Sequence, residues 1–197
     1  MISQSQADIV NRAVQLIGGY NNQGPVTGTP PTFDGTPIGL AAGVVYYDVV
    51  ATVAREFKFD FSRKTAALAV PPGPAQTPPE PWQFMYMYPA DGLQIRQVMP
   101  SSGLDPNDPQ PVLWSVQNVI VESAPVKVIL TNVGPAATVV YTNTPPEAIW
   151  DQLFTQAVER LLASVLSTAI AGRPATSERY LGESQNFSQA GSQRGDT

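Results

Sequence analysis

The sequence predicts an α+β fold: a helical bundle with an inserted antiparallel β-meander and an extended C-terminal tail. Three observations carry this. Between Pro146 and Gly172 no Gly or Pro interrupts an apolar pattern of helical spacing. Residues 82–142 alternate with period two instead, broken by turn chemistry. Residues 173–197 have neither period and are rich in Ser, Gln and Gly. The organisation that follows is a helical bundle from 1–70 and 143–172, an inserted strand region at 71–142 and a tail at 173–197.

The first helix spans residues 4–17. Ser3 or Ser5 caps it, Val10, Ala13, Val14 and Ile17 form its apolar face, and Gly18-Gly19 ends it. Residues 21–37 follow as a Pro- and Gly-rich loop, long enough to be either functional or laid over a partner. A second helix at 38–56 places Leu40, Val44, Tyr47, Val50, Ala51 and Ala54 at helical spacing. Gly39 and Gly43 share a face and permit close approach of another backbone. In the next stretch Phe57, Phe59 and Phe61 alternate with Lys58 and Asp60, and Arg55, Lys58, Arg63 and Lys64 are four of the chain's 11 basic residues. Interleaved aromatic and basic residues suit single-stranded nucleic acid. Asp60 and Glu56 dilute the patch, so core phenylalanines between solvated charges are favoured.

The proline-rich stretch 71–81 is stiff and marks a boundary. Strands are expected at 82–88, 93–99, 111–122, 126–131 and 138–142. In the first, Trp82, Phe84, Tyr86 and Tyr88 share one face, while Gln83, Met85 and Met87 share the other. Such a strand is apolar on both sides, so at least one face meets a partner layer. The helix at 145–172 starts with Thr144 as N-cap, Pro145 and Pro146 in its first turn, and Glu147 completing a capping box. Its ridges, Ile149–Leu153–Ala157–Leu161–Val165–Ala169 and Trp150–Phe154–Val158–Leu162–Leu166–Ile170, step by four. Each therefore drifts ~40° per step and ~200° over its length. Trp150, Phe154, Leu161, Leu162 and Val165 must pack on different neighbours at its two ends, within the chain or in a second subunit. In the tail, Tyr180, Leu181 and Phe187 are the large apolar residues.

Composition narrows function. Only 14% of the 197 residues are charged, and the chain holds 20 Pro and 15 Gly, which suits surfaces covered by partners rather than water. It has no Cys and no His, which removes thiol and imidazole chemistry and the common zinc ligands. Disulfides are excluded with them. No signal peptide is expected from the N-terminal sequence, and apolar runs are expected to stop well short of a membrane span. The formal charge of −5 disfavours non-specific DNA binding. The Arg194-Gly195-Asp196 tripeptide and the Asn186-Phe187-Ser188 sequon lack a secretory context. Asp91, Asp105 and Asp108 do not match a calcium loop, and Asp91 after Pro89 suits a turn. No cofactor, metal site or catalytic residue is expected.

Several segments, taken in order, resemble the head-to-tail adaptors of tailed bacteriophages. That family includes the tail tubular protein A of short-tailed phages and the gene-transfer-agent adaptors. The resemblance rests on RAVQLIGG from Arg12 to Gly19, the aromatic Tyr47 of the second helix, and Arg-x-Phe-x-Phe at 55–59. It continues with Trp-x-Phe-x-Tyr-x-Tyr-Pro-x-Asp-x-Leu from Trp82 to Leu93, and with Val139-Val140-Tyr141 before the long helix. Relatives usually carry Trp where this chain has Phe57, and the 20–37 loop is longer than theirs. The resemblance implies a structural virion protein, not an enzyme, found in the phage neck and assembled in the bacterial host cytoplasm. It implies a homo-oligomeric ring, usually of twelve copies, between the portal protein and the tail nozzle or tube, with tail fibres a further candidate partner. Genomic DNA passes through without sequence-specific binding, and no membrane is involved. Tyr180, Leu181 and Phe187 become candidate portal anchors. Alternatives are another structural virion part, such as a head-completion stopper or tail-fibre connector, and, less favoured, a carboxylate-based tail enzyme.

Overall fold

The computed structural model describes residues 5–18, 24–57, 59–73, 77–100, 112–121, 123–171 and 174–192. The chain is α+β, with four α-helices and two small antiparallel sheets among the described residues. It divides into two compact units: a helical one, Met1–Ser62 with Thr144–Thr197, and a sheet one, Arg63–Asn143.

In the helical unit α1 spans Gln6–Leu16. Ser5 and Asp8 form a reciprocal capping box, and Ile9, Val10, Ala13 and Val14 are buried. α2 spans Pro37–Glu56, with Thr36 Oγ1 accepting from the Gly39 N–H at 3.1 Å. Its inward face is Ile38, Gly39, Ala42, Gly43, Tyr46, Val49, Val50, Val53 and Ala54. This corrects the expected face. Val50 and Ala54 are buried as expected, but Leu40, Val44 and Tyr47 are exposed at 46%, 77% and 52%. α2 is apolar around most of its circumference, so spacing alone did not select a side. The glycines did, because they lie on the face that another backbone approaches.

The single helix expected from Pro145 is also corrected. Glu147–Ile149 is one 3-10 turn, and Trp150 is extended. α3 spans Gln152–Ala171. The Asp151 carboxylate accepts from the Phe154 N–H at 2.6 Å and caps the helix, while the Trp150 indole N–H donates to the Pro145 carbonyl at 3.0 Å. The Trp150–Phe154–Val158–Leu162–Leu166 ridge is buried. In the other ridge Leu153, Leu161 and Val165 are half-buried and Ile149 is exposed. Gly172 lies outside the described residues.

Over its described residues, 174–192, the tail is not extended. α4 spans Pro174–Ser192 and packs along α3. Between residues 178 and 189 its buried residues are Tyr180, Ser184 and Ser188, a stripe of spacing four. The Ser184 hydroxyl donates to the Ala157 carbonyl at 2.9 Å. Two of the three buried positions are serine, so hydrophobic period did not register a helix.

The sheet unit holds β1 (Arg63–Ala67), β2 (Phe84–Met87), β3 (Gly92–Pro100), β4 (Trp114–Val121), β5 (Ala124–Thr131) and β6 (Ala137–Asn143). These are not a meander. The strand orders are β1-β6-β3 and β2-β5-β4, so among the described residues only the β4–β5 hairpin joins sequence neighbours. β1 was not expected as a strand. It pairs with β6, which moves the unit boundary from the proline stretch to Arg63. Tyr86 and Ile129 of one sheet and Ile95, Val98, Val139 and Tyr141 of the other share one core, with Phe84 and Tyr88 packed against it. The opposite face of β2 and β5 buries Met85, Val128 and Leu130. Trp82 packs with this second group, not with Tyr86, because β2 begins only at Phe84 and alternation does not reach back to it.

Candidate interaction surfaces

The 24–36 loop lies over the helices of its own chain. The Asn11 side-chain oxygen accepts from the Val26 N–H at 2.8 Å, and its amide donates to the Val26 carbonyl at 2.9 Å. Val26 is thereby seated on α1 and is fully buried. Asp34 accepts from the Thr36 hydroxyl and N–H and from the Thr27 N–H, which close the loop. These bonds hold its carboxyl below the usual range, the Thr36 hydroxyl contributing most. Pro31 then lies directly against Gly43, and Gly39 faces Asp34 and Phe33.

With Gly39 and Gly43 turned to this loop, the other side of α2 is left open. Leu40, Val44 and Tyr47 sit at i, i+4 and i+7, one helical stripe. Tyr46, next in the chain, is buried and reaches Glu147 at 3.4 Å, where Glu147 also accepts from Gln6 at 2.6 Å. Burial, then the Glu147 charge, raises the Tyr46 pKa and keeps it a neutral donor. α2 is the one helix among the described residues long and apolar enough to cross a membrane, with mean hydropathy 1.5 and half of that window buried. The expectation that apolar runs stop short of a span is corrected to that extent. A fully buried Tyr46 in contact with the half-buried Glu147 is the pattern of a core helix.

Trp150 and Phe154 join an aromatic cluster. The Phe154 ring lies 4.8 Å from Trp150 and 5.1 Å from both Phe59 and Phe61, all edge-on. Of the aromatic and basic residues at 55–64, Phe59 is therefore core and Lys58 lies outside the described residues. Of the tail residues singled out, Tyr180 donates its hydroxyl to the Leu16 carbonyl and Phe187 lies under the Arg160 guanidinium at 4.8 Å. Both serve the chain's own packing, and Leu181 alone is exposed, at 42%. Ser188 of the sequon is buried within α4.

In the sheet unit, Asp91 bonds Lys64 Nζ at 2.6 Å and the Tyr141 hydroxyl at 2.8 Å. Lys64, then Tyr141, depresses its pKa. This trio ties β1 and β6 to the turn before β3. Lys127 lies over the Tyr88 ring at 3.7 Å. A cleft of about 330 Å³ is lined by Val70, Pro71, Gly73, Pro78, Gln83, Phe84 and Met85. Among the described residues no cluster of acidic side chains could hold a metal ion. Asp105, Asp108 and Arg194–Asp196 lie outside them.

No protein-family model matches the chain, and no curated protein matches it. The α2 stripe went unrecognised as a surface in the sequence because its spacing equals that of a core face.

Proposed function

We propose that this chain is a structural virion protein: a head-to-tail adaptor that forms a ring between portal and tail nozzle or tube and lets DNA pass. The observation that best supports this is the exposed Leu40–Val44–Tyr47 stripe. Contiguous apolar surface on a helix whose opposite face is already buried suits an interface between subunits. Low charge and net acidity fit a part made largely of interfaces around a channel that DNA must not stick to. The portal contact falls on the outward face of α4 at Leu181, since Tyr180 and Phe187 are engaged within the chain.

The test is to mix the protein with the portal of its own phage and image the product. A closed ring added beneath the portal is the expected result. Val44→Asp, at a position 77% exposed, is expected to abolish the ring while leaving the helical content intact. No association would overturn the adaptor reading and move the function to a stopper or fibre connector.

A further inference from the structure

An open sheet edge presents unpaired N–H and C=O groups, and proteins blunt such edges by charge, brevity, bulges or cover. Among the described residues, three of the four edges in the sheet unit are blunted. β1 is five residues long and opens with Arg63 and Lys64. β2 has four residues, and its Met87 N–H is taken by the Ala69 carbonyl at 2.7 Å. β3 has register shifts at Gly92/Gln94 and Ile95/Gln97 and ends on Pro100.

β4 has none of these devices among the described residues. It runs eight residues, pairs with β5 in unbroken register from Trp114 to Val121, and contains no proline or charged residue. Among the described residues no strand pairs with its other edge. Apolar side chains stand open at its ends: Leu113 is 73% and Ile120 65% exposed.

We propose that β4 is a self-pairing edge, through which two copies of this chain join antiparallel about a two-fold axis normal to the sheet. Such an axis keeps each side chain on its own face of the continued sheet. Set at Gln117, it pairs Gln117 with its own copy, Val116 with Asn118, Ser115 with Val119 and Trp114 with Ile120. The last pair covers the exposed Ile120 with an indole, the aromatic–β-branched contact that stabilises sheets. The choice of a second copy follows from charge. An uncharged strand meets no like-charge repulsion from its own copy and offers a charged partner nothing to read. The contact is isologous and closes on itself, so it leaves no growing fibre edge. It rests on neither the virion reading nor the α2 stripe. Because a two-fold axis reverses the direction of a ring, the contact joins one ring to a second and leaves the neighbour contacts within each ring to other surfaces.

The experiment compares wild type with Gln117→Lys/Asn118→Lys by sedimentation and hydrogen exchange. Both positions are exposed, so far-UV circular dichroism and melting are expected to be unchanged. The lysine pair is expected to halve the mass of whatever particle the wild type forms. β4 amides of the wild type are expected to exchange more slowly as protein concentration rises. Because the chain has no cysteine, Gln117→Cys adds a clean readout: a disulfide-linked dimer on oxidation. A mass unmoved by the lysine pair, whether monomer or ring, or β4 exchange independent of concentration, overturns the proposal.

Discussion

Gly43 and Pro31 meet so closely that a Cβ on Gly43 would fall inside the Pro31 carbonyl group. The obstacle is backbone, held by the Asn11–Val26 and Asp34–Thr36 bonds on either side, so it cannot swing away as a flexible side chain would. In an open helix interior, Gly→Ala gains about 1 kcal/mol. Here the overpacking cost, ~1–3 kcal/mol, outweighs that gain. Gly43→Ala is expected to lower stability in denaturant melts. Gly24, where an added Cβ meets nothing, is the control and is expected to change little on substitution by Ala.

Phe154 is fully buried and touches Trp150, Phe59 and Phe61 edge-on. These rings come from two distant stretches of the helical unit, 59–61 and 150–154, so the site cannot collapse by a local shift. Phe154→Ala is expected to cost ~3–5 kcal/mol. A loss below ~1 kcal/mol in urea melts would mean that the cluster is not the core of this unit.

The fold class, the α1 cap and five of the six strands were legible because each leaves a local mark: a Ser before an apolar run, or alternation bounded by turns. What failed was non-local. Whether Leu40 or Ala42 faces inward depends on where the Pro31 loop lies, and that is a tertiary fact. β1 is Arg-Lys-Thr-Ala-Ala, which has no strand signal until β6 supplies its partner. The strand orders place β6 between β1 and β3, which no turn announces. In the candidate surfaces, the sequence marks Tyr180, Leu181 and Phe187 alike as large apolar residues, and only the docking of α4 separates the exposed Leu181 from the engaged Tyr180 and Phe187.

Close approach of α4 to α3 rests on small side chains at Ser184 and Ser188, both buried. Ser184→Leu adds volume where Ala157 already touches and removes the bond to its carbonyl. The expected result is α4 displaced from α3, seen as new protease cleavage within 174–192, with destabilisation of ~1–3 kcal/mol. An extended, undocked segment would be cleaved equally in wild type and variant, so equal cleavage would argue against the docked helix.

Glu159 gives a pH signature of definite sign. It is buried, with Arg12 Nη1 3.2 Å from its carboxylate. Burial raises its pKa above the ordinary 4.5, and Arg12 only partly offsets this. The folded state therefore holds the proton more tightly than the unfolded chain. The contribution is most favourable below pH 4.5 and is lost as pH rises from there through the raised folded value. Asp91 runs the other way: its pKa is depressed, so its contribution is present above 3.8 and lost as pH falls through the lowered value. Between pH 4.5 and 7 only the Glu159 slope remains of these two. Glu159→Gln carries no charge to bury and is expected to gain stability relative to wild type as pH rises across that window, read from melting temperatures. Parallel curves for wild type and variant would mean that the Arg12 charge compensates fully for the burial of Glu159.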